Sequence, residues 1–219
     1  MQIGVISDIH GNKVALDAVF EDMQSVDALV CAGDVVGYNP WHGACIEAVR
    51  ERSIPTVMGN HDRAVAGGGQ FGFNSMAGAG VAHARETLTE AQIDWLASLP
   101  ETGREFDGRV RIVHGHPEDP DRYTYPEEFG PGMLDGEQAL VLGHTHIQSH
   151  ERFEDGVVLN PGSVGQPRDG DPRAAYAVLD LDDLTVAEHR VAYDIERVRE
   201  AVAAADLPAR IGDRLEDGR

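Results

Sequence analysis

Lysine is almost missing from this chain of 219 residues. Lys13 is the only lysine among 18 basic side chains, which face 38 carboxylates and leave a formal net charge of −20. A surface this acidic argues against a broad nucleic-acid or anionic-membrane footprint, because it repels phosphate groups. Proteins of salt-loving organisms have this composition, since molar salt shortens the Debye length to about 3 Å and screens the self-repulsion. The alternative is a mildly acidic protein from an arginine-rich genome.

Cysteine and long apolar runs are scarce as well. Cys31 and Cys45 are the only thiols, and their spacing fits neither a disulfide framework nor a zinc motif. We expect both to be buried as small apolar side chains. No stretch approaches the roughly 20 apolar residues of a membrane helix, and residues 1–4 lead into an apolar run without the basic segment of a signal peptide. We therefore expect a cytoplasmic protein with no membrane span.

The N-terminal part alternates between apolar runs and amphipathic segments. Apolar runs at 3–7, 28–32 and 54–58 predict buried strands, and the helical spacing at 14–23 and 41–52 predicts two helices between them. This βαβαβ order favours a parallel sheet with helices on its faces.

The remaining chain predicts helices followed by antiparallel strands. Helices are expected over 74–87 and after the capping box of Thr89 and Gln92, and Asp107-Gly108 predicts a hairpin turn. Further strands are predicted at 110–113, 139–142, 157–159, 176–179 and 185–193. Residues 115–136 predict a long loop. With no repeat and no linker, we expect one domain over 1–219, its core reaching about 193 and a C-terminal helix over about 194–206.

Polar clusters follow five of the predicted strands. They are Asp8-Ile9-His10, Gly33-Asp34, Gly59-Asn60-His61-Asp62, His114 and Gly143-His144-Thr145-His146. Ligands of open α/β sheets bind outside the carboxyl ends of the strands, so these clusters can converge on one site. Each cluster alone is weak evidence, because an ordinary turn or an exposed histidine pair has the same residues. Their convergence is what predicts a site.

The clusters contain seven oxygen and nitrogen donors and no thiol. Two Asp, one Asn and four His suit Mn, Fe, Zn, Ni or Co rather than a structural thiolate zinc site. Seven donors are too many for one four-coordinate ion and fit two ions that share a bridging carboxylate. Glycines before Asp34, Asn60 and His144 allow tight turns and close approach of the backbone.

In this order, the five clusters resemble the D-x-H, G-D, G-N-H-D, H and G-H-x-H blocks of the calcineurin-like metallophosphoesterase superfamily. The segments around Gly37-Tyr38-Asn39-Pro40, 141–148 and 160–170 are similar to its YfcE-type phosphodiesterase branch. The resemblance covers nearly the whole chain. It implies an α/β fold, the four-layer αββα sandwich in which two mixed sheets are flanked by helices.

The resemblance also implies a role for each motif residue. Asp8, His10 and His146 would hold one divalent ion, Asn60, His114 and His144 a second, and Asp34 would bridge the two ions. Manganese is the favoured metal, with Ni, Fe, Zn and Co also compatible. A bridging hydroxide would attack phosphorus, and His61 would protonate the leaving oxygen as general acid; the alternative role for His61 is to orient the phosphate.

Three positions depart from the family pattern or lie outside it. His116 follows His114-Gly115, where the family residue is commonly small, and it is a candidate substrate contact. Arg168 is a second candidate, because its guanidinium can clamp a phosphate; for both, an ordinary loop position is the alternative. The G-D-x-x-D-R-G motif of protein Ser/Thr phosphatases is incomplete: its second Asp, the partner of the catalytic His, is absent from the run 33–39. This disfavours a protein phosphatase and leaves His61 without an assigned partner.

The leading hypothesis is a metal-dependent phosphodiesterase acting on a small or nucleotide-like phosphoester. A non-catalytic protein-interaction scaffold of the same fold, as in the retromer subunit, is an alternative that the presence of His61 disfavours. A DNA nuclease is a third, disfavoured by the lack of a basic face. The sequence does not fix the natural substrate or the oligomeric state, and a homodimer remains compatible with it.

Overall fold

The computed structural model describes residues 1–23, 25–67 and 72–219. Its strands are β1 (Gln2–Ile6), β2 (Ala28–Cys31), β3 (Thr102–Glu105), β4 (Val110–Val113), β5 (Ala139–Val141), β6 (Gln148–Arg152), β7 (Val157–Pro161), β8 (Ala174–Asp180) and β9 (Thr185–Val191). Its α-helices are α1 (Lys13–Asp22), α2 (His42–Glu51), α3 (Asn60–Gly67), α4 (Ser75–Thr87), α5 (Glu90–Ala97), α6 (Ile195–Ala204) and α7 (Arg210–Asp213). Short 3₁₀ turns lie at Pro126–Glu128, Pro131–Met133 and Arg214–Asp217.

The strands form two mixed sheets flanked by helices, as the family resemblance implied. The first sheet has the order β2-β1-β8-β9 and the second the order β3-β4-β5-β7-β6. Strands β1 and β2 are parallel, whereas β8 runs antiparallel to both of its neighbours. Side chains alternate along β1, so Ile3 and Val5 enter the core between the sheets while Ile6 packs toward the helices.

The outer faces of the two sheets are covered differently. The apolar cluster outside the first sheet includes buried residues of α1 to α5. Outside the second sheet, Leu140 and Val158 pack against Phe129, Met133 and Leu134. Phe129, Met133 and Leu134 belong to the long segment 115–136. On this face, two 3₁₀ turns of that segment take the place of a layer of helices. No helix in the described part of the chain is long and apolar enough to cross a membrane.

Two expectations for the strands are wrong. Residues 54–58 form no strand and make one parallel bridge, between Cys31 and Thr56, because Pro55 has no N–H to donate to a ladder. The strands after residue 100 are not all antiparallel, since β4, β5 and β7 run parallel. The long segment between β4 and β5 makes this possible, because it returns the chain to the starting edge of the sheet.

Other local predictions are confirmed. Thr89 forms its capping box with Gln92 at the start of α5, and residues around Asp107-Gly108 turn between β3 and β4 with positive φ. Strand β6 was not predicted, because its sequence Gln-Ser-His-Glu-Arg is polar throughout and it lies at a sheet edge. Both cysteines are buried, as expected.

The chain remains ordered beyond the expected C-terminal helix. Helix α6 matches that prediction, and α7 with the turn Arg214–Asp217 follows it. Ile211 and Leu215 are buried in one apolar cluster with Tyr38 and Ala77. The C-terminal segment therefore packs against the loop after β2 and against α4.

Candidate metal centre

The seven predicted donors and His61 meet where the loops of the two sheets converge. Asp8 and His10 follow β1, Asp34 follows β2, Asn60 and His61 open α3, His114 follows β4, and His144 and His146 lie between β5 and β6. Three groups of side chains have ligand atoms within 4.8 Å of one another: Asp8 with His10 and His146, Asp34 with His114 and His144, and Asp34 with His10 and His61.

Asp34 connects the two halves of this centre. Its Oδ2 atom lies 3.6 Å from His10 Nε2 on one side and 3.4 Å from His114 Nε2 on the other. In the first half, His146 Nε2 lies 3.2 Å from Asp8 Oδ1 and 3.1 Å from His10 Nε2. In the second half, Asn60 Oδ1 lies 3.2 Å from His114 Nε2.

Backbone carbonyls orient the four imidazoles. The Nδ1 atoms of three rings donate to backbone carbonyl oxygens: His10 to Val36 at 3.0 Å, His114 to Ala32 at 2.7 Å and His146 to Gln166 at 2.5 Å. In His144 the donor is Nε2, and the acceptor is the backbone carbonyl oxygen of Asp121 at 3.2 Å. Each ring therefore leaves its other nitrogen for the centre, and a carbonyl partner of this kind is typical of metal-ligating histidine.

The two aspartates use one oxygen for the fold and the other for the centre. Asp8 Oδ2 accepts hydrogen bonds from Ser7 Oγ at 2.7 Å and from the His144 amide at 3.1 Å. Asp8 Oδ1 is buried without a hydrogen-bond partner among the described residues. Asp34 Oδ1 likewise accepts from the His61 amide at 2.9 Å. A buried anionic oxygen without a donor is costly, and a cation removes that cost, so the donor set fits metal ions.

Burial keeps most of the imidazoles neutral, which metal binding requires. It lowers the pKa of His144 to about 4 and the pKa of His10 well below its usual range. His114 differs: burial lowers its pKa, but the Asp34 carboxylate outweighs burial and raises it to about 10. For Asp34, burial favours a higher pKa, yet His114 and its neighbours hold the pKa well below the usual range.

The backbone around the centre is strained. Six non-glycine residues have φ between 48° and 68°: Asp8, His10, Asp34, Tyr38, His144 and His146. Such conformations cost about 1–3 kcal/mol each and cluster at functional sites. Backbone hydrogen bonds between the loop after β1 and the loop after β2 hold part of this conformation. The Asp8 amide donates to Gly33 O and the His10 amide donates to Asp34 O, both at 2.9 Å.

Two supporting residues were not predicted. Asp62 accepts hydrogen bonds from the Val36 and Gly59 amides, both at 3.1 Å, and burial with the nearby Asp34 charge raises its pKa to about 7. Asn160 donates to Gly143 O at 2.7 Å and to Thr145 Oγ1 at 3.0 Å. Asp62 was visible as the last letter of G-N-H-D, whereas nothing in the sequence marks the contacts of Asn160.

Gly59 leads to a prediction about the close approach of these loops. A Cβ atom at this position would lie 2.0 Å from Asp34 Oδ1 and 2.4 Å from Asp34 N. We expect Gly59→Ala to destabilise the fold by about 1–3 kcal/mol and to weaken metal binding by about 10–100-fold. Denaturant unfolding and calorimetric titration with Mn²⁺ measure the two effects.

Gly78→Ala is the matched control for that substitution. Apart from its chain neighbours and the backbone of its own helix, no described residue has an atom within 4 Å of a Cβ atom there. Gly78 is inside α4, where alanine stabilises a helix by up to about 1 kcal/mol. Equal behaviour of the two variants would show that the backbone contact at Gly59 is unimportant.

His61 lies in an aromatic enclosure beside the centre. Its ring stacks on Phe73 with the centroids 4.6 Å apart and contacts Tyr38 and His10, each at 4.8 Å. Nδ1 is buried and has no hydrogen-bond partner in the described part of the chain. A Cβ atom on Gly37 would lie 2.3 Å from this nitrogen, so no larger side chain fits at that position. Burial lowers the pKa of His61 to about 4, although Asp34 opposes the shift.

The two predicted substrate contacts have different positions. Arg168 lines the pocket over the centre, together with His61, Tyr123 and His144, and its Nη2 donates to Tyr38 Oη at 3.2 Å and to Gln166 Oε1 at 2.8 Å. His116 does not line this pocket. It borders a separate depression next to Met133, where its Nδ1 accepts a hydrogen bond from the Glu118 amide.

Comparison with known proteins decides the family. A model of the calcineurin-like phosphoesterase superfamily domain matches residues 1–184. The chain belongs to the calcineurin-like phosphoesterase superfamily. This is a metal-dependent superfamily of hydrolases, and the Asp and His side chains of the chain are positioned for metal binding.

Three relatives show how far the similarity to other superfamily members extends. The crystal structure of a metallophosphoesterase from Sphaerobacter thermophilus is 33% identical and has a TM-score of 0.87, with 100% of this chain and 99% of that chain covered. Phosphodiesterase YfcE of Escherichia coli is 30% identical over 85% of this chain and 91% of its own. An uncharacterized protein of Methanocaldococcus jannaschii is 31% identical, with 99% and 98% covered.

Proposed function

We propose that the chain hydrolyses phosphodiesters at a dinuclear metal centre. The observation that carries the proposal is the position of Asp34 Oδ2, within 3.6 Å of His10 Nε2 and 3.4 Å of His114 Nε2. One carboxylate oxygen that faces two separate groups of donors suits a bridge between two ions. The similarity to phosphodiesterase YfcE supports the diester as substrate.

The donor groups assign the proposed ligands. Asp8, His10 and His146 would hold one ion, Asn60, His114 and His144 the other, and Asp34 both. When bound, the ions lower the pKa of a water molecule and neutralise charge on the phosphate. Manganese is our first choice, and Fe, Ni, Zn and Co suit the same donors.

His61 is the proposed general acid. It lies in one group of donors with Asp34 and His10, so it faces the same space as a phosphate bound at the centre. An anionic phosphate beside the ring favours the imidazolium, and a low pKa makes that imidazolium a strong acid toward the leaving oxygen. The second role for His61 is to orient the phosphate by a hydrogen bond.

An exposed pair of tyrosines supports a nucleotide-like substrate. Tyr123 stacks on His144 with the centroids 4.0 Å apart, and Tyr125 stacks on Tyr123 at 6.2 Å. Their exposures of 46% and 44% are high for aromatic side chains. Because Tyr123 lines the pocket, a planar base attached to the reacting phosphate can stack on this pair.

The tyrosine pair leads to a prediction about substrate preference. Stacking of a base on an aromatic ring is worth about 1–3 kcal/mol. We expect Tyr123→Leu to lower the preference for thymidine 5′-(p-nitrophenyl phosphate) over methyl p-nitrophenyl phosphate by about 5–150-fold, measured as the ratio of kcat/KM values. Tyr123→Phe is expected to keep the preference, and an unchanged ratio in Tyr123→Leu would contradict the stacking.

Hydrolysis of bis-p-nitrophenyl phosphate and p-nitrophenyl phosphate, with and without Mn²⁺ at high salt, tests the proposed function. We expect cleavage that requires metal and favours the diester. A protein that binds two ions and cleaves neither these esters nor a broader panel would overturn the proposal and direct attention to a scaffold with protein partners.

We further propose a reducing, salt-rich cytoplasm as the location. Both thiols are free and buried, which is usual where disulfides do not form, and the charge of −20 with one lysine suits molar salt. Equal stability at zero and at molar KCl would contradict the second part.

A further inference from the structure

A second cleft adjoins the pocket over the metal centre. It has a volume of about 450 Å³ and is lined by Asn74, Met76, Arg210, Asp213, Arg214, Asp217 and Arg219. Asn74 lines both cavities. Arg210, Arg214 and Arg219 thus line a cleft next to the centre, in a chain that has 18 basic side chains and 38 acidic ones.

The C-terminal segment is held in this place by its own packing. Ile211 and Leu215, which flank Arg214 on α7 and the following turn, are buried in one apolar cluster with Tyr38. The amide of Gly170 donates to Gly218 O at 3.0 Å, which fixes the end of the segment beside the loop that carries Arg168. Arg214 consequently lies close enough to Arg168 and to Arg210 for their charges to act on it.

Arg168, Arg210 and Arg214 have no side-chain carboxylate as a partner among the described residues. No Asp or Glu carboxylate of the described residues forms an ion pair within 4.0 Å of Arg168, Arg210 or Arg214. The two aspartates of the cleft pair with other arginines, Asp213 with Arg199 at 3.3 Å outside the cleft and Asp217 with Arg219 within it. Nε of Arg214 donates to the backbone oxygen of Arg219, and no hydrogen bond to a described residue engages its two terminal nitrogens.

Like charges crowd Arg214. Burial lowers the pKa of its guanidinium, and the positive charges of Arg168 and Arg210 lower it further. A half-buried guanidinium with two cationic neighbours and no ion pair to a described side-chain carboxylate favours an anion bound between the three arginines. Guanidinium groups bind phosphate oxygens in a bidentate manner, so a phosphate is the anion that this arrangement suits.

We propose that Arg214, together with Arg168 and Arg210, binds a second phosphoryl group of the substrate, separate from the one that is hydrolysed. The inference rests on the proposed function for the identity of the first phosphate. It restricts the substrate class to phosphodiesters with a further phosphate within reach of the centre. Arg210 and Arg214 lie beyond residues 1–184, which the superfamily model covers.

Calorimetry with two product-like probes tests the proposal. Thymidine 3′,5′-bisphosphate and thymidine 5′-phosphate differ by one phosphate, and both are titrated into the Mn²⁺-loaded protein at one ionic strength. We expect the bisphosphate to bind at least about tenfold more tightly, as one charge-assisted contact allows. Arg214→Gln is expected to abolish that preference.

Arg197→Gln is the matched control. Arg197 lies on α6, is exposed and does not line the cleft, so this variant loses the same charge and is expected to keep the preference. Arg210→Gln is a second test variant, which is also expected to reduce the preference for the bisphosphate. It replaces Arg214→Gln in the test if that variant does not fold. Circular dichroism establishes folding for each variant.

The outcomes separate the two proposals. Equal affinities of the two probes for the wild-type protein would overturn the second-phosphate site, as would a preference that persists in folded Arg214→Gln or Arg210→Gln. A bisphosphate preference that depends on Arg214, with no cleavage of any phosphodiester, would overturn the proposed hydrolysis and support the anion site.

Discussion

We expect His61→Ala to lower the metal-dependent hydrolysis of bis-p-nitrophenyl phosphate by about 10²–10⁴-fold, the usual contribution of a general acid. The alanine variant retains all seven proposed ligands. It therefore binds Mn²⁺ with the wild-type stoichiometry, and the loss appears in kcat. Steady-state kinetics at saturating Mn²⁺, with the metal content measured alongside, is the required experiment.

The leaving group distinguishes the two roles of His61. A general acid matters more when the departing oxygen is more basic, so the deficit of His61→Ala is expected to increase from p-nitrophenyl to phenyl esters. A residue that only orients the phosphate gives the same deficit for every leaving group. A series of substituted phenyl diesters measures this dependence.

His150→Ala is the control for the loss of an imidazole. His150 lies on β6 and pairs with Glu188 at 2.7 Å, with its side chain 36% exposed. Its replacement is expected to leave the hydrolysis rate unchanged. A comparable loss of rate in both variants would show that the His61 effect reflects general damage to the fold.

Removal of the metal ions is expected to have the second large effect, on stability. A ligand that binds only the folded state adds about 4 kcal/mol to the free energy of unfolding when its concentration is a thousand times its Kd. Relief of the buried Asp8 oxygen, which lacks a hydrogen-bond partner among the described residues, contributes to the affinity that sets this Kd. Thermal unfolding with Mn²⁺ and with a chelator measures the difference.

Asp34→Asn is expected to abolish most of this stabilisation. The asparagine keeps an oxygen for the His61 amide, which Asp34 Oδ1 accepts at 2.9 Å, but it lacks the negative charge between the two groups of donors. Asp17→Asn removes an exposed carboxylate on α1 that pairs with Lys13 and is expected to retain the Mn²⁺ response. Two ions bound to Asp34→Asn with wild-type affinity would contradict a bridging role.

The residues of the centre could be predicted because polar side chains at strand ends are conspicuous between apolar runs. The groups that orient them could not. His10, His114 and His146 each depend on a backbone carbonyl, and every residue has a carbonyl. The position of His116 was equally invisible, since its distance from the pocket depends on the path of the segment 115–136.

Strand predictions succeeded where the apolar pattern was strong and failed where pairing decides. Strand β1 was predicted from its buried run, whereas residues 54–58 have the same pattern but contain Pro55, and hydrogen bonding there stops at one bridge. The polar β6 has no pattern to detect. The segment 206–219 forms a four-residue helix and one turn, elements too short for periodicity to reveal.

The first group of donors joins distant parts of the chain: His10 and His146 are 136 residues apart. A ribosome adding about 5–20 residues per second needs roughly 7–27 s to synthesise that interval. Throughout it, Asp8 and His10 have emerged without the third member of their group. The complete group of Asp8, His10 and His146 is therefore available to a metal ion only after residue 146 has been synthesised, whereas the group of Asp34, His10 and His61 lies within the first 61 residues.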